Sequence, residues 1–235
     1  MLKALIFDVD GTLAETEEAH RRAFNDTFRD EGLRWYWDQR LYGELLKVAG
    51  GKERIHHFID RFHPALLSEP DLAERIARLH RAKTDRYLRL IASGEVPLRP
   101  GVRTLIDEAR AAGRALAIAT TTSRPNVAGL LDATIGREAT TWFAAIGAGE
   151  DASAKKPAPD VYRLVLERLG LTGADCLAFE DSANGLRSAR GAGIPTLVTP
   201  SVYTADDDFT HALVKLPSLD GMTLADLDGL HARAA

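Results

Sequence analysis

Ala4-Leu5-Ile6-Phe7-Asp8-Val9-Asp10-Gly11-Thr12 opens the chain with four apolar residues that run into two aspartates and a glycine. A short apolar run bounded by turn residues is the pattern of a strand buried on both faces. Asp-Gly is a common turn pair, so the aspartates fall where the strand stops. In an extended chain, residues two apart point to one side, which sets the carboxylates of Asp8 and Asp10 together. Two such charges repel unless a cation or a shared proton lies between them. The stretch carries two readings: a tight turn, or part of a site beyond the carboxyl end of a parallel strand.

The sequence on either side of this opening differs in character. Residues 17–94 are Arg-rich, with Leu41, Leu45, Leu46 and Val48, then Leu72, Ile76 and Leu79, on helical spacing and almost no strand pattern. From Pro97 and Pro100-Gly101 onward the two patterns alternate. Helices are expected over 104–112, from 126 onward, over 159–169 and over 183–192. Strands are expected over 116–119, 143–146, 176–179 and 196–198. The alternation predicts βαβ units and a parallel sheet with helices on both faces. The fold class is therefore α/β, a Rossmann-like core of residues 1–16 and 95–235 split by an all-helical insertion over 17–94. Residues 224–235 are expected to form a helix on the core.

The composition fits this reading. The 235 residues are 45% hydrophobic and 27% charged, which excludes a disordered chain. Thirty basic against 34 acidic side chains give a net charge of −4, so no broad nucleic-acid-binding field is expected. No apolar run approaches the roughly 18–20 residues of a membrane span, and no secretory signal pattern opens the chain. The single cysteine, Cys176, cannot form an internal disulfide. A cytoplasmic protein without an anchor is expected.

Three further clusters lie where strands are expected to end. In Leu177-Ala178-Phe179-Glu180-Asp181-Ser182, paired carboxylates again follow an apolar run. They suit a hard cation such as Mg²⁺, which takes oxygen ligands, and Asp181 or Ser182 equally suits the cap of the helix that follows. Lys156 precedes Pro157, which holds it extended and outside the helix; it either points into a site or sits in solvent. Thr120-Thr121-Thr122-Ser123 follows a buried strand and offers hydroxyls and backbone N–H groups to a phosphate, or is simply a β-branched strand end.

The ordered set Asp8/Asp10-Gly11-Thr12, Thr120, Lys156 and Glu180-Asp181 resembles the haloacid dehalogenase superfamily. The insertion over 17–94 matches that family's helical cap, so the resemblance covers essentially the whole chain. It implies a Mg²⁺-dependent phosphatase. Asp8 would be the nucleophile; a carboxylate needs no base to activate it at neutral pH. Asp10 would be the general acid and then the base, its backbone carbonyl binding Mg²⁺ with Asp8 and Asp181. Glu180 would hold the ion through a water. Lys156 would offset phosphoryl charge, and Thr120, with Thr121 and Ser123 beside it, would hold phosphate oxygens. The presence of Asp10 argues against the dehalogenase and phosphonatase branches, which lack that acid. β-Phosphoglucomutase is a nearer relative, and a phosphosugar mutase or a non-catalytic binding protein are the rival readings.

A narrower resemblance is to the CbbY subgroup. It rests on Asp8 to Glu18, His20 to Asn25, Gly50 to Ile55, His80 to Thr84 and Ala119 to Ser123. That subgroup accompanies the Calvin cycle and removes phosphate from xylulose 1,5-bisphosphate, an inhibitor of Rubisco. The resemblance implies a sugar bisphosphate as the partner, with neither nucleic acid nor membrane, a monomer, and a plastid stroma location if the source is a photosynthetic eukaryote. It makes Glu17, His20, Lys52, Arg54 and Lys83 candidates for the sugar hydroxyls and distal phosphate. His20 is equally readable as a packed histidine. Trp35-Tyr36-Trp37 reads as packing, and Arg21, Arg22, Arg78 and Arg81 as solvated faces.

Overall fold

β1, Ala4–Phe7, is buried along its whole length because it lies inside a six-stranded sheet. The computed structural model describes residues 1–234. The other strands are β2 (Ala115–Ala119), β3 (Ala145–Gly147), β4 (Cys176–Glu180), β5 (Thr196–Val198) and β6 (Val214–Lys215). They pair in the order β3-β2-β1-β4-β5-β6, parallel throughout. Strands covered on both faces carry unbroken apolar sequence, and β1 shows why the opening tetrad has no alternation.

Contacts divide the chain into two compact units, Met1–Glu15 with Val96–Ala235, and Thr16–Glu95. The α/β unit contains the sheet with α5 (Val102–Ala111), α6 (Arg124–Thr134), α7 (Asp160–Leu169), α8 (Ala183–Gly191) and α9 (Leu224–Ala234). Small residues on one face of the sheet (Ala4, Ala117, Ala119, Ala145 and Ala178) let Val161, Tyr162 and Val165 of α7 pack close. The expected C-terminal helix is α9, fixed on α5 by Glu108, which accepts from the Leu224 N–H at 2.7 Å.

Several element bounds differ from expectation. α5 begins at Val102 because Gly101, at φ +84°, turns the chain directly into the helix. α6 begins at Arg124, with Pro125 in its first turn, where a missing N–H costs nothing. β3 starts at Ala145 because a 3₁₀ turn over Ala139–Trp142 ends at Phe143. The two-residue β6 is partly exposed and has no apolar run to announce it.

The helical unit holds α1 (Glu17–Asp30), α2 (Gln39–Leu45), α3 (Gly51–Phe62) and α4 (Leu72–Ala92). Its centre is aromatic. Trp37 packs against Phe24, Phe28 and Phe58 with ring centroids 4.6, 5.0 and 5.4 Å away. Alternation along the extended segment buries Trp35 and Trp37 and leaves Tyr36 outside. Arg22, Arg78 and Arg81 are exposed as expected. Arg21 corrects the expectation: its guanidinium turns inward to donate to the Trp37 carbonyl at 2.9 Å and to Glu18. Trp37→Ala is expected to destabilise the chain by about 3–5 kcal/mol, as for other large core truncations. Urea denaturation checks this.

Candidate functional site

The register of the central strands sets the site. Phe7 of β1 pairs with Phe179 of β4, and their rings stack at 4.5 Å. Asp8 and Glu180, one residue further on each chain, are therefore level at the sheet's carboxyl edge. Asp8, Glu180 and Asp181 are all buried, and each offers a carboxylate oxygen within 4.8 Å of the others. Lys156 places its Nζ 2.7 Å from Asp8 Oδ1 and 2.6 Å from Glu180 Oε1. The Tyr162 hydroxyl donates to the same Glu180 oxygen at 2.5 Å.

The surrounding backbone is shaped to these carboxylates. Gly11, at φ +80°, brings the turn after β1 against Asp181; a methyl there would overlap the Asp181 carboxylate. Thr204 donates its hydroxyl to the Asp181 carbonyl at 2.7 Å. Ser182 caps α8 by accepting from the Gly185 N–H at 3.1 Å. The serine therefore caps α8, while Glu180 and Asp181 lie with Asp8 in a carboxylate cluster that could hold a metal ion. Asp10 lies in the turn, bridged to Ala14.

Burial is the largest influence on Asp8. It raises the carboxyl to about 7; Lys156 opposes the rise, and Glu180 and Asp10 add to it. Lys156 is held protonated by Asp8 and Glu180 against its own burial. The rise in Asp8 has a consequence for stability. A carboxyl whose folded pKa lies above its unfolded value contributes stability at low pH and loses it as pH rises through about 7. In EDTA, Asp8→Asn is therefore expected to gain in Tm relative to the unmodified chain between pH 5 and 8, and to lose that advantage when Mg²⁺ is added. Thermal melts of both proteins across that range check this.

Thr120 is buried at the end of β2, and its Oγ1 accepts from the Thr122 N–H at 3.2 Å. Thr121 is half-buried in the same turn, and Ser123 stands at the N-cap of α6 with its hydroxyl oxygen buried. In the helical unit the sequence candidates form two groups. The Tyr42 hydroxyl donates to Glu17 at 2.7 Å and accepts from Arg54 at 3.2 Å. Arg54 also donates to the carbonyls of Leu45 and Val48, which ties α3 to the end of α2. His20 Nδ1 lies 2.5 Å from Lys83 Nζ, and its ring stacks on Tyr87 at 3.9 Å. Lys52 is exposed in the first turn of α3 and joins neither group.

Tyr162 and Tyr42 were not singled out from the sequence. Tyr162 follows Lys156 by six residues, in the first turn of α7, and that spacing was the available signal. Tyr42 carries none, since its partners come from α1 and α3.

A family model described as haloacid dehalogenase-like hydrolase matches residues 2–193. The chain belongs to the haloacid dehalogenase-like hydrolase family. Within this family it groups with CbbY proteins. It is 55% identical over 218 residues to Protein CbbY of Rhodobacter capsulatus, covering 93% of this chain and 94% of that one. The crystal structure of CbbY from Rhodobacter sphaeroides in complex with phosphate matches with a TM-score of 0.90 at 50% identity, over 97% of this chain and all of that one. A mutant of that CbbY in complex with xylulose-(1,5)bisphosphate matches with a TM-score of 0.89 at 48% identity, over 97% and 99%. β-Phosphoglucomutase from Clostridium difficile, at 16% identity and a TM-score of 0.81, shares the fold. This hydrolase is of the phosphatase class. Among the described residues, no helix is long and apolar enough to cross a membrane.

The site fits a divalent cation. Its donors are all oxygens, the set that Mg²⁺ takes. Lys156 pairs with two of the three buried carboxylates, Asp8 and Glu180, and Glu180 Oε2 is buried without a hydrogen-bond partner. Buried charge of that kind needs a counter-ion.

Proposed function

We propose that this hydrolase removes a phosphoryl group from a sugar bisphosphate, xylulose 1,5-bisphosphate above others, through an aspartyl-phosphate formed on Asp8. The observation that carries the reaction is Asp8 itself, a buried carboxylate held at one oxygen by Lys156 beside two further carboxylates. The complex of the Rhodobacter sphaeroides mutant supports the substrate.

Lys156 fixes Asp8 Oδ1 and leaves the other carboxylate oxygen to attack phosphorus. The P–O bond to the sugar breaks as the Asp8–phosphorus bond forms. Asp10, protonated, gives its proton to the departing sugar oxygen; as a carboxylate it then takes a proton from the water that attacks phosphorus. That attack breaks the Asp8 bond and frees inorganic phosphate. Asp8, Asp181, Glu180 and the Asp10 carbonyl would hold Mg²⁺, whose positive charge would offset the negative charge on the transferring phosphoryl group. Thr120, with Thr121 and Ser123, would bind phosphate oxygens, and Glu17, His20, Lys52, Arg54 and Lys83 would supply contacts to the sugar and second phosphate. We place the protein in the cytoplasm or the plastid stroma, acting as a monomer.

Phosphate release from xylulose 1,5-bisphosphate, ribulose 1,5-bisphosphate and glucose 1,6-bisphosphate, with Mg²⁺ and with EDTA, tests this reading. The expected result is one phosphate per xylulose compound consumed, a strong preference for it, and no release in EDTA. Comparable slow rates on all three would remove the substrate assignment. Isomerised sugar phosphate without free phosphate would make the enzyme a mutase.

A further inference from the structure

Arg99 lies outside the acidic cluster, yet its side chain binds two of the loops that frame it. The guanidinium is nearly covered. One terminal nitrogen donates to the Gly11 carbonyl and, at 2.7 Å, to the Thr199 carbonyl. The other donates to the Pro200 carbonyl at 2.9 Å. Its Nε lies 3.4 Å from Glu15, and its backbone N–H donates to the Leu13 carbonyl at 2.8 Å.

These acceptors come from the turn after β1, which carries Asp10 and Gly11, and from the segment after β5. In the sheet, β4 runs between β1 and β5, so Arg99 joins the loops on either side of the one that carries Asp181. Through Arg99 the turn after β1 is hydrogen-bonded to the Thr199 and Pro200 carbonyls of the second loop. Within itself the turn is closed by Gly11 N–H to the Ala14 carbonyl and by the Thr12, Leu13 and Ala14 N–H groups to the Val9 carbonyl. The segment after β5 holds Asp181 in turn: the Ser201 N–H donates to Thr204 Oγ1, and Thr204 donates to the Asp181 carbonyl. A planar guanidinium with five donors can hold several carbonyls at fixed angles, which an ammonium cannot.

We infer that Arg99 is a positioning residue for proton transfer: by clamping the Gly11 carbonyl to Thr199 and Pro200 it fixes the turn that aims Asp10. This rests on the reading of Asp10 as the acid for the departing sugar. A poor leaving group such as a sugar alkoxide needs that proton. p-Nitrophenolate leaves without one, so the burst of p-nitrophenol from p-nitrophenyl phosphate reports phosphorylation of Asp8 independently of Asp10.

The experiment compares Arg99→Met, Arg99→Lys and Asp10→Ala with the unmodified enzyme, all with Mg²⁺. It measures kcat and KM on the preferred sugar bisphosphate and the burst rate on p-nitrophenyl phosphate. Arg99→Met is expected to lower kcat on the sugar about 10–10²-fold, the scale of misplacing a catalytic group. KM and the burst rate should stay within about threefold of the unmodified enzyme on the same principle. Arg99→Lys should recover part of kcat. Hydrogen exchange should rise in residues 9–14 and 199–204 of Arg99→Met and not in α7. An equal loss on both substrates, a loss confined to KM, or unchanged exchange in those two segments would overturn the role of Arg99. If Asp10→Ala itself fails to separate the two substrates, the acid role of Asp10 is wrong and this inference falls with it. If Asp10→Ala separates them and Arg99→Met does not, Arg99 alone is misassigned.

Discussion

Asp8→Asn is expected to reduce turnover of the sugar bisphosphate by roughly 10⁴-fold or more, the scale of removing a covalent nucleophile. The amide keeps the shape of the carboxylate and can still accept from Lys156 through its oxygen, so the fold survives. What it lacks is an anionic oxygen able to attack phosphorus. The cluster also loses one of its three carboxylates, and the requirement for a counter-ion weakens. The variant should therefore bind substrate while failing to consume it. Steady-state phosphate release, with isothermal titration of substrate into the variant, checks both halves. Retained turnover within tenfold would mean that another group attacks phosphorus.

Lys156→Met is expected to lower kcat by about 10²-fold or more, as for other preorganised charge-stabilising groups. Lys156 is the cation on Asp8 Oδ1 and on Glu180 Oε1. Without it the two carboxylates face each other with only the Tyr162 hydroxyl between Glu180 and its surroundings. Burial and the Glu180 charge, two of the causes that already raise Asp8, then act without opposition from the lysine. The nucleophile becomes protonated over a wider pH range, so the acid limb of the kcat/KM profile should move upward. Lys156→Arg should not restore the rate, because a planar fork does not replace a point charge between two carboxylates. pH–rate profiles of the three proteins give the measurement. A uniform fall in rate with no movement of the limb would limit Lys156 to holding phosphate.

The α/β half of this account was legible because each of its acids follows an apolar strand. Phe7 and Phe179 pair in register, so two motifs 172 positions apart in numbering, Asp8 and Glu180, meet with nothing more than strand order to guide them. Lys156 was legible for a similar reason, standing before a proline that keeps it out of α7. What could not be read were the groups that hold those residues. Tyr162 and Thr204 act through single hydroxyls whose reach depends on the finished packing, and Arg99 acts through carbonyls, which have no sequence signature. In the helical unit the sequence offered charged residues as candidates for an anionic sugar, but it could not show their pairing. Arg54 is engaged by Tyr42 and two carbonyls, and His20 is stacked on Tyr87 beside Lys83. Periodicity places such residues on helix faces without revealing which faces meet.

The central claim is covalent: Asp8 carries the phosphoryl group during turnover. Rapid acid quench of the enzyme with xylulose 1,5-bisphosphate and Mg²⁺, followed by peptide mass spectrometry, tests it most directly. One added phosphoryl group is expected on the peptide containing Asp8, present within the first turnover and missing from Asp8→Asn. Turnover with no phosphorylated peptide at any quench time, or a phosphoryl group carried on another residue, would contradict it.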